Sequence, residues 1–541
     1  LDERRMRIGL RRLTVNTDPD EWGRKFAFEV NGVPVFSMGA DYIPEDNLLG
    51  RLSRERTEKL IRDCVRANFN TIRVWGGGFY PDDYFYDLCD EYGLIVWQDL
   101  MFSCGTYDLT PEFTANAMAE IEQNVRRIRH HACLGLICGN NEIEMFFEDG
   151  RIENTEENRT QYVNFFEKDI PALMASVAPQ TFYWPGSPSS GGNFFETNGQ
   201  NYGDGHYWDV WHGNKPFTDY RNTYFRYVSE FGFESMPHLA TIESFTEPGD
   251  RNLFSYVMEC HQKNPSGNQK ILAYLAETFR YPKDFASLVY ASQLLQAEAM
   301  RYGVEHWRRH RGRCMGTLYW QLNDCWPTLS WSSLDYYGRW KALHYAAKRF
   351  YRPLLASACE EGAFVSFHAS NETRRPADGT LVWRLRRNSG EVVAAGVKAF
   401  AIEPLSSREI VSVDFSPWLE NNDRLRDTYA EFAWRRGGET VSGGTVLFVP
   451  PKHFEFLPAS YSVEAEDLGD RFVIRVASDV FAKYVELSIA GCDAVFGDNY
   501  FDLSPGEVKA VELRKADLTR PLSAEELRRS LSVRSLVDSY E

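Results

Sequence analysis

Leu134-Gly135-Leu136-Ile137-Cys138-Gly139-Asn140-Asn141-Glu142 is a run of five residues without a polar side chain that stops at a glycine and gives way to three polar residues. A run this short, with no polar alternation, reads as a strand buried on both faces, as strands of parallel sheets are. The residues before it repeat at helical spacing, with Met118, Ile121, Val125 and Ile128 on one face. Helix followed by buried strand is half of a βα repeat, and the same alternation recurs from residue 33 to about residue 350.

Eight candidate strands emerge: Val35–Asp41, Thr71–Trp75, Leu94–Gln98, Leu134–Cys138, Thr181–Trp184, Gly205–Trp208, Arg226–Ser229 and Gly316–Gln321. Eight parallel strands alternating with helices predict an α/β fold of the (β/α)8 TIM-barrel type over residues 33–354. The helix signals agree. Ser53 stands as an N-cap before a face made of Leu60, Ile61, Cys64 and Val65. Pro81 suits the first position of a helix that carries Phe85, Leu88 and Tyr92 and stops at Gly93.

Beyond residue 355 the pattern changes to period-two segments such as Ala363-Phe364-Val365-Ser366-Phe367-His368 and Phe472-Val473-Ile474-Arg475-Val476. Pro450-Pro451 divides this region into two pieces, 355–450 and 451–541, each of the size of a small immunoglobulin-like β-sandwich. Residues 1–32 read as the remnant of a preceding β-domain, with Ile8 to Val15 as a strand. The chain starts with leucine, which reads as the loss of an N-terminal part.

The 541 residues are 43% hydrophobic and 14% aromatic, enough for several globular domains, and carry 60 Lys+Arg against 77 Asp+Glu, a net charge of −17. That balance argues against nucleic acid, which needs clustered cations to displace counterions from phosphates. No apolar run is long enough to span a bilayer, so a membrane is not an expected partner. The ten cysteines form no CxxC pair or zinc spacing, and Cys64, Cys89, Cys133 and Cys138 fall in apolar segments. This pattern suits a reducing compartment, and the cytoplasm is the expected location. The sequons at Asn158 and Asn371 are the contrary sign.

Barrel enzymes build their sites at the C-terminal ends of the strands. Gly139-Asn140-Asn141-Glu142 follows the fourth strand, and Ser229-Glu230-Phe231-Gly232 follows the seventh. Two carboxyls facing one mouth are what glycoside hydrolysis needs, one to protonate the leaving oxygen and one to attack the anomeric carbon or activate water. Glu144 and Glu234 are rivals, since a slip of register would exchange them with Glu142 and Glu230. Trp75, Trp97, Trp184, Trp208 and Trp320 fall near strand ends, where indoles stack on sugar rings, although tryptophan also fills barrel cores. His206 reads equally as a hydroxyl ligand or as a structural histidine.

Taken together, Gly39-Ala40-Asp41-Tyr42-Ile43-Pro44, Arg73-Val74-Trp75-Gly76-Gly77-Gly78, Trp97-Gln98-Asp99-Leu100-Met101-Phe102-Ser103-Cys104, Gly139-Asn140-Asn141-Glu142, Ser229-Glu230-Phe231-Gly232 and Tyr319-Trp320-Gln321-Leu322-Asn323-Asp324 resemble the β-mannosidases of glycoside hydrolase family 2. The resemblance implies a retaining exo-β-mannosidase that removes terminal non-reducing β-D-mannose from manno-oligosaccharides or glycan fragments through a covalent glycosyl-enzyme intermediate. It implies Glu142 as acid/base, Glu230 as nucleophile and Asn141 as ligand of the sugar 2-hydroxyl. Trp75 and Trp320 would wall the mannose subsite, with Asp99, His206, Tyr207 and Trp208 as secondary contacts. It requires no metal and no organic cofactor, and the expected partner is a small β-mannoside. It also implies two β-domains of the same protein ahead of the barrel. The alternatives are a family 2 glycosidase for another sugar, or a glycan-binding module inactive without those domains.

Overall fold

The computed structural model describes residues 2–3 and 8–540. Residues 1 and 4–7 of the expected N-terminal remnant lie outside the described residues. The chain divides into two compact units, Leu1–Gly232 with His310–Trp326, and Phe233–Arg309 with Pro327–Glu541.

In the first unit eight parallel strands form one sheet: β1 (Ser37–Tyr42), β2 (Thr71–Val74), β3 (Ile95–Asp99), β4 (Leu134–Cys138), β5 (Phe182–Trp184), β6 (Gly205–His206), β7 (Val228–Glu230) and β8 (Gly316–Tyr319). Their spatial order, β5-β4-β3-β2-β1-β8-β7-β6, is the ring order of a (β/α)8 barrel. The expected strand positions hold to within a few residues. The first starts later than expected because Val33–Val35 pairs antiparallel with Ala27–Val30 instead. The sixth and eighth stop two residues early, at His206 and Tyr319, which leaves Tyr207, Trp208 and Trp320 beyond the strands.

Helices α1 (Arg54–Arg66), α2 (Asp83–Tyr92) and α3 (Pro111–Ile128) follow the first three strands. Ser53 caps α1 by accepting the N–H of Arg56, and Leu60, Ile61 and Cys64 are buried. Gly93 ends α2 in the left-handed region at φ 74°, where a missing Cβ removes the steric cost. Pro81 is not its first residue, since Asp82 takes the N-cap position and the helix begins at Asp83.

The segment expected as the end of a preceding domain forms a small antiparallel sheet, Leu13–Asn16 with Ala27–Val30 and Val33–Val35, under the barrel. Leu13, Phe26 and Phe28 join Ile95, Trp97, Leu136, Trp184, Tyr227 and Leu318 in one buried cluster. Phe28 reaches in over Gly135, where a Cβ would lie 2.8 Å from its ring. The barrel core is thus filled from its N-terminal end, which leaves the C-terminal mouth for chemistry.

The second unit contains helices Phe285–Arg309 and Ala342–Phe350, then two β-sandwiches. The first pairs a three-stranded sheet (Leu354–Glu361, Phe364–Asn371, Ser406–Asp414) with a four-stranded one (Ala377–Arg387, Val392–Ile402, Thr428–Arg436, Glu439–Leu447) over Phe367, Leu381, Phe432 and Trp434. The second joins Tyr461–Asp467, Arg471–Ser478 and Lys509–Arg514 to a sheet of Ala482–Ile489, Phe501–Leu503 and Leu531–Arg534. Along Arg471–Ser478 burial alternates, as one face turned to a core requires. Asn371 is buried, and its side-chain N–H donates to the Arg375 carbonyl, so that sequon serves as turn chemistry. Among the described residues no helix is long and apolar enough to cross a membrane.

Candidate active site

Past Cys138 the backbone of β4 continues through Gly139-Asn140-Asn141, and Asn141 bridges to Ser103 on one side and Ser187 on the other. Glu142 then turns into the left-handed region, φ 62° and ψ 5°, and its N–H donates to the Ser187 carbonyl at 2.7 Å. A non-glycine residue there costs roughly 1 kcal/mol or more and is kept only where its surroundings fix it. The turn directs the carboxyl into the mouth while Ile143 starts the next helix. Glu230 ends β7 directly, and both glutamates are more than nine-tenths buried.

One oxygen of Glu142, one of Glu230 and a ring nitrogen of His206 all lie within 4.8 Å of one another. The partners of the two carboxyls differ. Glu230 accepts from the Arg73 guanidinium at 3.1 Å and from the Trp208 indole N–H at 3.2 Å. Glu142 meets His206 Nδ1 at 3.0 Å and the Cys104 thiol at 3.5 Å. Burial holds His206 down at a pKa of about 4, so at neutral pH its ring is uncharged. Burial also pushes both carboxyls above the ordinary glutamate value, and Arg73 opposes it at each. Where burial disfavours two anions, the group with a cation and an N–H beside it carries the charge. By its partners, Glu230 is the better suited of the two to the charged form.

Arg73 organises this floor. It is fully buried on β2, and beyond Glu230 it reaches Asp99 at 2.9 Å, Asp41 at 3.7 Å and the Asn141 side-chain oxygen at 2.5 Å. With its oxygen held there, the Asn141 amide turns its NH2 toward Cys104 Sγ, 3.3 Å away, as a donor at the mouth. Trp75 and Trp320 meet with ring centroids 4.8 Å apart at 67°, both partly exposed, forming an apolar wall. Trp75 lies over Gly77, where a Cβ would be 1.9 Å from the indole.

Of the residues expected from the sequence, Asn141, Glu142, His206, Trp208 and Glu230 come together around one point. Asp99 is fully buried behind Arg73 and bonded to the Trp97 indole and the Gly76 N–H, so it supports the site from beneath and does not face the mouth. Tyr207 turns its hydroxyl to Asp219 and its ring to Tyr220 and Phe225. Trp97 and Trp184 belong to the barrel core and not to the rim. Glu144 and Glu234 are engaged elsewhere: Glu144 accepts the Phe194 N–H and Glu234 the Gln262 amide. Arg73, Cys104, Ser187 and Asp204 had no place in the expected site. Arg73 alone left a signal, a charged residue inside the apolar run Thr71-Ile72-Arg73-Val74, since an arginine so placed needs buried acids.

Among the described residues, Glu142, His206 and Glu230 also form one of two clusters that could hold a metal ion, the other being Asp90, His131 and Cys133. In the second, Asp90 accepts from the Cys133 N–H at 2.6 Å and meets His131 Nδ1 at 2.8 Å, tying α2 to the loop before β4.

The chain is 40% identical over 542 residues to beta-mannosidase B of Aspergillus niger, covering 94% of this chain and 63% of that protein. It is 40% identical over 369 residues to beta-mannosidase B of Aspergillus oryzae, covering 66% of this chain and 44% of that protein. The crystal structure of a beta-D-mannosidase from Dictyoglomus thermophilum superposes with a TM-score of 0.91 at 30% identity, covering 99% of this chain and 64% of that one. An exo-chitosanase from Amycolatopsis orientalis, at a TM-score of 0.73, 16% identity and coverage of 98% and 66%, shares the fold. Family models described as a Mannosidase Ig/CBM-like domain and an Ig-fold domain match residues 364–453 and 456–539. The chain spans less than two thirds of the length of the β-mannosidases it matches. Over the barrel and the C-terminal immunoglobulin-like domains the chain is similar to these β-mannosidases.

Proposed function

We propose that the chain is a retaining exo-β-mannosidase, acting on terminal non-reducing β-D-mannose of manno-oligosaccharides or glycan fragments. The observation that carries the chemistry is the carboxyl pair within 4.8 Å with unlike partners. Retaining glycosidases hold their carboxyls about 5–5.5 Å apart, whereas inverting enzymes leave about 6.5–9.5 Å for a water. Glu230, ionised beside Arg73, attacks the anomeric carbon as Glu142 gives its proton to the departing oxygen. Glu142, now a carboxylate, takes a proton from water, which attacks the same carbon, releases Glu230 and returns the original anomer. Asn141 donates to the 2-hydroxyl, a contact that strengthens as charge develops on the ring.

The names of the relatives support mannose over other sugars. The same reading assigns residues 33–354 to the catalytic barrel and 355–450 and 451–541 to the two sandwiches, and it puts the protein in the cytoplasm on its cysteine pattern. The test is hydrolysis of an aryl β-D-mannoside by this chain and by its Glu230→Ala variant, with the first-formed anomer read by NMR. Retained configuration and loss of turnover in the variant are expected. A folded wild-type chain that cleaves no aryl β-glycoside overturns the enzymatic reading, and a higher kcat/KM on a glucosaminide or glucuronide overturns the choice of sugar.

A further inference from the structure

Behind His206 lies a buried chain of polar groups that a two-carboxylate mechanism does not by itself require. Its anchor is Asp204, whose carboxylate accepts from the Trp184 indole N–H at 2.8 Å, the Ser189 N–H at 3.2 Å, the Ser229 hydroxyl at 2.5 Å and the Ser187 hydroxyl at 2.6 Å. Ser187 Oγ is also 3.0 Å from His206 Nε2. Ser187, Asp204 and His206 are each at most 2% exposed.

A hydroxyl has one hydrogen and a neutral imidazole one N–H and one lone pair. At 2.6 Å from a carboxylate oxygen, the Ser187 hydrogen lies on the line to Asp204. Toward His206 the hydroxyl therefore offers a lone pair, and Nε2 must bring the hydrogen. The ring's second nitrogen, Nδ1, is then bare, and it faces Glu142 Oε1 at 3.0 Å and Glu230 Oε2 at 3.7 Å. A bare nitrogen at hydrogen-bond distance from a carboxyl oxygen requires the hydrogen to sit on that oxygen.

We propose that Ser187 and Asp204 are positioning residues that lock His206 as the Nε2–H tautomer, so that its Nδ1 lone pair holds Glu142 as the protonated donor. The proposal rests on the reading of Glu142 as the acid. Once Glu142 has given up its proton it faces a lone pair instead of an N–H, which makes it the stronger base for the water step. The opposite tautomer would place an N–H on Nδ1 and stabilise ionised Glu142, leaving less of it protonated to serve as donor and making it a weaker base for the water step. The other groups that bear on Glu142 are Arg73, Cys104, Asp149 and Arg151, and those on His206 are Arg73, Glu230 and Asp204. None of these is altered by a change at Ser187.

The test is the pH dependence of kcat/KM on an aryl β-mannoside with a poor leaving group. In Ser187→Ala, and in Asp204→Asn, whose amide frees the Ser187 hydrogen for Nε2, the alkaline limb is expected to move down by about one pH unit. Ser229→Ala removes a bond to Asp204 without touching His206, and its limb is expected to stay. An unmoved limb in an active Ser187→Ala protein, or an equal shift in Ser229→Ala, overturns the proposal. A second readout needs no activity: in 15N-histidine-labelled wild-type protein, with the His206 signal assigned by its loss in His206→Gln, the protonated nitrogen is expected to be Nε2. Protonation at Nδ1 overturns the proposal even if the serine variants do not fold. If the wild-type chain cleaves no aryl glycoside, the glycosidase reading fails while the 15N signal still decides the tautomer.

Discussion

Arg73 Nη1 lies 3.1 Å from Glu230 Oε2, the first on β2 and the second at the end of β7, with the guanidinium wholly buried. The same side chain pairs with Asp99 and Asp41, so one cation serves three buried carboxyls. Burial raises the pKa of all three, and Arg73 opposes it in each. In Arg73→Met, Glu230 therefore ionises only at higher pH, and the acid limb of kcat/KM is expected to move up by about one to three units. Breaking a buried pair from one side also costs about 3–5 kcal/mol, which a urea titration at neutral pH will measure. An unmoved acid limb would show that Arg73 does not set the charge of Glu230.

Glu142→Gln keeps the shape of the acid and removes its proton. With a poor leaving group the rate is expected to fall by roughly 10²–10⁴, and with an activated aryl leaving group far less, because a stable phenolate departs without protonation. A Brønsted plot of kcat/KM against leaving-group pKa will steepen in the variant. Equal losses across the series would remove Glu142 from the acid role.

Phe26 packs against Trp97, Trp184 and Tyr227 with ring centroids 4.8 to 5.9 Å away. Phe26→Ala opens a cavity under the barrel and is expected to destabilise it by about 3–5 kcal/mol. Chemical denaturation will show the loss. A change below about 1 kcal/mol would mean that the floor strands are not part of the barrel's core.

Glu234 is buried beside Gln262, and burial raises its pKa to about 8. A carboxyl whose folded value lies above its unfolded one stabilises the fold most fully below the unfolded value, near 4.5, and that stability is lost as pH rises through the folded value. Wild-type stability is thus expected to fall between about pH 4.5 and 8, and Glu234→Gln, which cannot ionise, to lose less across that window. Parallel melting-temperature profiles for the two proteins would refute this.

How much of the site was legible depends on which residues act through neighbours in sequence. Glu142 and Glu230 could be singled out because each stands at the C-terminal end of a strand, which is a local feature. Ser53 and Gly93 were legible for the same reason, since caps depend on a few adjacent residues. Trp97 and Trp184 show where local reading stops: both sit on barrel strands, but the aromatic floor formed by Phe26 and Phe28 takes them into the core. Ser187 and Asp204 carry no pattern at all, being ordinary polar residues in loops and turns until folding brings them to His206.

The sequence alone determined the elements and their order, because apolar periodicity and turn residues act over a few positions. It determined that acids stand at two strand ends. Tertiary structure decided which partners each acid meets, and with them which of the two is better suited to hold a proton. That choice depends on how far each carboxyl is taken from water and on which donors, from strands remote in sequence, meet it there. Arg73 and the Trp208 indole reach Glu230, whereas Glu142 faces a neutral imidazole and a thiol. Distances across a curled sheet of strands have no counterpart in spacing along the chain, so only the folded barrel fixes them.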